Sequence, residues 1–245
     1  MKLKKKIPFF ICIFLLLVCV VTGIMTRNSF TDVGGDPNLM SALYLHQGGS
    51  ADTLSQSMDE LKQQSELIAV ITATGEREYR DNSFITKANI KTVVQGDTAM
   101  EGKDITVYEP VQTDYVSLQQ WNGQDALDFI KSEFPDIEKT GTFISCMPRT
   151  EAMKQHAPLK EGKEYLVFLN VKEYPEISDK YMQTEEYNFI ESIYAIVEIN
   201  AQQFTTAPKN ISLKDAMDYP VLLLNQSDLD MYEENYKAII DEFIA

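Results

Sequence analysis

The sequence predicts an α+β protein, mainly β. A five-stranded antiparallel barrel follows an apolar N-terminal helix, short helices flank the barrel, and an amphipathic helix closes the chain. Three observations predict this. The run Ile7 to Thr26 holds no charged residue and as a helix is long enough to cross a bilayer. Runs of β-branched and aromatic residues, separated by turn residues, dominate the stretch from about residue 64 to 200. Near the C-terminus, Leu229, Tyr232, Tyr236, Ile239, Ile240 and Phe243 recur at helical spacing. With 245 residues, 44% of them apolar, the chain can bury a substantial core.

At the N-terminus, twenty uncharged residues rising ~1.5 Å each give a helix of ~30 Å, about one hydrocarbon core. Lys2, Lys4, Lys5 and Lys6 precede the run and Arg27 follows it, which orients the N-terminus to the cytoplasm and the large domain outside. The expected organisation is a basic cytoplasmic leader at 1–6, a transmembrane helix or uncleaved signal anchor at 7–26, a linker at 27–36 and an extracytoplasmic domain at 37–245. The alternative is secretion after signal cleavage, with Val21 and Gly23 at the small-residue positions, although no A-x-A follows. The piece Leu16-Leu17-Val18-Cys19 resembles the lipobox of bacterial lipoproteins, but Val18 stands where that pattern takes Gly, Ala or Ser.

In the exported part, Pro37 to Gln47 reads as a first helix stopped by Gly48-Gly49. Ser57-Met58-Asp59-Glu60 fits a capping box, which starts a second short helix. Leu67 to Thr74 is a strand closed by Gly75. Phe84 to Val94 alternates, with Phe84, Thr86, Ala88, Ile90, Thr92 and Val94 on one face. Asp104 to Glu109 gives a third strand before Pro110, and the short connections predict a meander. Gln124 to Phe134 has helical spacing. Thr142 to Cys146 is placed at a sheet edge, Glu164 to Val171 is an interior strand apolar on both faces, and Phe189 to Ile199 is the fifth strand, interrupted by Glu191. A helix at about 228–244 ends the chain, with Ser227 as its cap.

Five strands with a helix between the third and fourth resemble the element order of the OB-fold, over about residues 64–200. That likeness implies a small Greek-key barrel whose loop end binds ligands. Acidic bias, a lysine-rich leader and a nearly cysteine-free exterior resemble Gram-positive bacterial surface proteins, a likeness of composition only.

Charge narrows the partners. Five of the 22 basic residues lie before the first acidic one, Asp32, so residues 28–245 carry 17 basic against 37 acidic residues, a formal charge of −20. Such a surface repels phosphate backbones and excludes nucleic acid as a partner. Cys12 and Cys19 belong to the apolar run, leaving Cys146 as the one exterior thiol and no internal disulfide.

The catalytic candidates are Cys146 and His156, ten residues apart, with Arg149 and Lys154 nearby to favour a thiolate; the plain alternative is a small core residue. His46 is the other histidine, and two histidines with one thiol do not make a closed zinc site. Asp228, Asp230, Glu233 and Glu234 are the candidate hard-cation ligands, although they lack the glycine and alternation of an EF-hand loop and equally suit the solvated first turns of a helix. No cofactor is called for, because GxSxG, HExxH, P-loop and GxGxxG patterns are absent. The candidate ligand-binding residues are aromatic: Tyr115 and Trp121 in one long loop, and Tyr174, Tyr181 and Tyr187 in another, both expected at one end of the barrel. The competing reading makes them a satellite core.

The expected function is a non-enzymatic, membrane-tethered binding or sensing domain whose partner is a surface protein, peptide or glycan. One alternative is an exported hydrolase using clustered carboxylates or Cys146 with His156. The other is an acidic cell-surface or stress-response factor that binds cations or basic proteins.

Overall fold

The computed structural model describes residues 7–29, 43–46, 54–80, 83–117, 142–148, 154–172 and 186–244, with only the backbone described at 7–12, 27–29, 43–46, 80, 112–117, 142–148 and 210. The N-terminal helix α1 runs Ile7–Ser29, so Arg27, Asn28 and Ser29 continue the helix instead of opening the linker. Among the residues described in full, no helix is long and apolar enough to cross a membrane. In α1 those residues are only 13–26, part of its 23-residue backbone helix.

The predicted helix at 37–47 is corrected within its described part: Leu43–His46 is a strand, β1. It lies parallel to β6 (Thr142–Pro148) and antiparallel to β10 (Asn210–Ser212), and β6 also pairs with β5 (Val111–Ser117). Pairing across three distant segments overrides the local helical signal. β6 lies inside this four-stranded sheet, ordered β10-β1-β6-β5, and not at its edge. The helix predicted at 124–134 lies outside the described residues.

The capping box forms as the sequence indicates. Helix α2 is Met58–Gln64; Ser57 Oγ accepts the Glu60 N–H at 3.3 Å and Glu60 accepts the Ser57 N–H at 2.8 Å. Its Leu61 is fully buried.

Strands β2 (Leu67–Arg80), β3 (Ser83–Gln95) and β4 (Asp104–Glu109) form the predicted meander. β2 does not stop at Gly75; it passes through it at φ +85° as a bulge between the pairs Ala73/Ala88 and Arg77/Thr86. At this φ a residue with a Cβ is strained, so glycine suits the bulge. On β3 the one-face pattern holds to Ile90 and then changes. Lys91 and Val94 have no pairing partner on β2, and each extra residue reverses the side-chain parity, so Val93 packs on the core while Val94 is exposed.

β7 (Glu164–Val171) is buried from Tyr165 through Leu169, as its unbroken apolar run implies. It pairs antiparallel with β2, with β8 (Glu186–Phe189) and with β9 (Ile196–Glu198), while β8 also pairs parallel with β4. The fifth strand of the sequence reading is therefore two short strands. Between them a turn with buried Ser192, Ile193 and Tyr194 leaves the ladder, and β7 bridges the gap through Phe168 N–H to the Ala195 carbonyl at 3.0 Å and Ile190 N–H to the Phe168 carbonyl at 3.1 Å.

The order β2-β3-β4-β8-β7 closes through the β2–β7 pairing into a five-stranded barrel. It is mixed and not purely antiparallel, because β4 and β8 run parallel. This connectivity is compatible with an OB-like fold. Helix α3 (Leu213–Ala216) follows β10, and α4 (Gln226–Phe243) covers β7, where Phe168 and Phe243 meet edge to face at 5.3 Å. Asn225, not Ser227, caps α4: its side chain accepts the Asp228 N–H at 2.9 Å, and Ser227 donates to Asn225. Asn is as good a cap as Ser, and the apolar stripe allows either start.

Candidate functional site

Alternation along β4 decides where its last residue points. Ile105 and Val107 enter the core, and Glu109, two residues further, shares their face and is completely buried. An ionised carboxylate without water needs a full set of donors. Thr86, on neighbouring β3, donates its hydroxyl to Glu109 Oε1, and Arg77 Nη2 of β2 lies 3.4 Å from the same oxygen. The Leu159 N–H reaches Glu109 Oε2 at 2.6 Å.

Arg77 is spread over the same group. Its Nε donates to Thr86 Oγ1 at 2.9 Å and its Nη2 also donates to the Leu159 carbonyl. The Thr86 hydroxyl thus relays from guanidinium to carboxylate, accepting from one and donating to the other. Nearby, the Tyr165 hydroxyl of β7 accepts the Lys160 N–H at 2.9 Å. Burial pushes the Glu109 carboxyl up, against the opposing pull of Arg77 and the hydrogen bonds from Thr86 and Leu159. Burial likewise raises the Tyr165 phenol. The three described donors to Glu109 all come from within the chain, so the cluster ties three barrel strands to the segment 154–163.

His156 is a second buried polar group, 3% exposed. Its Nε2 lies 2.6 Å from the Ile193 carbonyl. Because a carbonyl only accepts, Nε2 carries the ring proton. Burial pushes the imidazole down to about 4, against the pull of that hydrogen bond, so the ring is neutral near pH 7. Its partner candidate Cys146 lies in β6, its backbone paired with Thr113 and Leu45; the described contacts of His156 are those of a packed donor.

The aromatic candidates divide. Tyr115 lies in strand β5, opposite Ile144, and Tyr187 lies in β8, 3% exposed, so neither is in the long loop where the sequence placed it. Both fall at ladder positions fixed by distant strands. Trp121, Tyr174 and Tyr181 lie outside the described residues. His46 ends β1, paired with Asn210.

The four candidate metal ligands lie on the first turns of α4. Asp228 accepts from Asn225 Nδ2 at 2.8 Å, Asp230 from Gln226 Nε2 at 2.7 Å, and Glu233 pairs with Lys237 at 3.0 Å. Among the described residues no group of three or more His, Cys, Asp or Glu side chains is arranged to hold a metal ion.

The sequence reading missed Glu109, Arg77 and Thr86. The available signal was parity, since Glu109 is in phase with Ile105 and Val107. Comparison of the chain with protein-family models, curated proteins and solved structures gives no match.

Proposed function

We propose that this protein is a membrane-tethered extracytoplasmic domain of OB-like topology that binds or senses a surface partner and catalyses no reaction. One observation carries the tether. In α1 the side chains Ile13, Phe14, Leu15, Leu16, Leu17, Val18, Val20, Val21, Ile24 and Met25 are all exposed. Large apolar side chains favour burial by roughly 1.5–3 kcal/mol each, so a helix bare of protein cover is better accommodated by lipid than by water. Four lysines ahead of it set the orientation with the barrel outside, as in the Gram-positive surface proteins that the composition resembles.

The binding role draws on the closed barrel, a scaffold whose loop ends are free to vary. The hydrolase reading loses support at its proposed base, because His156 is buried, neutral and committed to a backbone carbonyl. The test is an alkaline carbonate wash of membranes from expressing cells, followed by N-terminal sequencing of the retained chain. The proposal expects a pelleted protein that keeps Lys2 to Lys6. A soluble protein beginning just after Gly23 would replace the tether by a cleaved signal.

A further inference from the structure

Segment 154–163 carries the chain into β7, and hydrogen bonds fasten it at successive points. Leu222 N–H donates to the Gln155 carbonyl at 2.6 Å, His156 Nε2 to the Ile193 carbonyl at 2.6 Å, Leu159 N–H to Glu109 at 2.6 Å, and Gly162 N–H to the Ala73 carbonyl at 3.0 Å. The strap thereby joins the barrel, the 190–195 turn and the segment at 221–223. His156 is the titratable member, and its burial, at 3% exposure, disfavours the charged ring. It makes one hydrogen bond and no ion pair among the described residues.

The charged groups on the surrounding elements offer it no ready counter-charge. On the barrel, Glu109 is already committed to Arg77, Thr86 and Leu159, and Tyr165 accepts from Lys160. Asp218, ahead of Leu222, is paired with Lys160 of the strap. Glu191 lies in the turn that supplies the Ile193 carbonyl, and Lys154 opens the strap; each has partners of its own, and none of these is an ion pair with His156.

We propose that this strap is an acid-released latch: a second proton on His156 puts an uncompensated charge in the core, and the strap lifts from the 190–195 turn and the 221–223 segment while the barrel stays closed. Leu222 and Leu223, buried in the closed state, are thereby uncovered. The direction follows from linkage. A histidine held below its usual 6.5 in the closed state stabilises that state fully above pH 6.5, and this contribution is lost as the pH falls from 6.5 to about 4. Glu109, raised by burial, acts in the opposite sense over its own titration. The latch does not depend on the membrane tether.

The experiment is hydrogen exchange of the full chain in detergent micelles between pH 7 and pH 4, as protection factors, for wild type and His156→Gln. Gln keeps an Nε2 donor for the Ile193 carbonyl and does not titrate. The expected result is that opening at the Leu222 amide rises by roughly 100-fold in wild type between pH 7 and pH 4, the factor set by the gap between 6.5 and about 4 with the closed-state ring half-protonated at the lower pH. In the variant this rise is absent, and the β2 and β7 amides hold in both. Parallel loss in wild type and variant assigns the effect to carboxylates and overturns the latch. If the variant is already open at pH 7, the ring resonances of wild-type His156 decide: titration well below 6.5, together with strap opening, supports the latch, and titration near 6.5 with the strap still protected overturns it.

Discussion

Two sets of carboxylates sit at opposite extremes of this molecule. Glu109 is wholly buried at the end of β4 and has three partners from three other segments. Asp228, Asp230, Glu233 and Glu234 are spread over the first turns of α4, where Asp228, Asp230 and Glu233 take short-range partners and water remains close. In water a carboxylate is cheap and its neighbours are worth little. In the core it must be fully paired, and its surroundings then become structural. The four conspicuous acidic residues matter less to the fold than the single inconspicuous one.

The largest effect should come from Glu109→Ala. It leaves the Arg77 guanidinium buried and the Leu159 N–H unpaired, and should cost about 3–5 kcal/mol in denaturant unfolding. Replacing both charges by apolar side chains, Arg77→Met with Glu109→Leu, should recover most of that loss, because the penalty lies in the orphaned partner more than in the absent pair. A double variant as unstable as the single one would show that the network also sets the path of segment 154–163.

Tyr232→Phe probes the opposite case. The Tyr232 hydroxyl is buried without a hydrogen-bond partner among the described residues, while its ring stacks on Tyr194 with centroids 5.4 Å apart. Removing the hydroxyl keeps the stacking and should raise stability by up to about 1 kcal/mol, measured as an increase in the unfolding midpoint. On the surface, Asn225→Ala removes the cap of α4 and should cost about 1 kcal/mol. Glu233→Ala breaks an exposed pair with Lys237 and should cost no more than about 0.5 kcal/mol. A loss at Glu233 comparable to that at Glu109 would erase the contrast.

The same contrast explains which parts of the fold were legible in the sequence. Ser57 and Glu60 satisfy each other within one turn, so the start of α2 could be read locally. Asp104–Glu109 and Glu164–Val171 carry their signal in their own alternation and apolar runs, and both form with the expected bounds. β1 could not be read, since four residues become a strand only through β6 and β10, about a hundred or more positions away. The split between β8 and β9 is equally non-local, because the turn around Ile193 is held by burial and by His156 from another segment. For the candidate site, residue type misled. His156 looked like a base and is a packed donor, whereas Glu109 looked like a strand terminus and is the centre of the buried network. Chemistry-bearing residues draw the eye, but parity within a strand indicates which of them enters the core.

The tethered barrel is tested most directly by protease added to intact protoplasts whose cytoplasm is sealed, with the chain detected through a tag at each end. The account predicts that the C-terminal tag and barrel fragments disappear while the N-terminal tag, with the leader and α1, survives in the membrane. A barrel that remains intact until the protoplasts are lysed would contradict it.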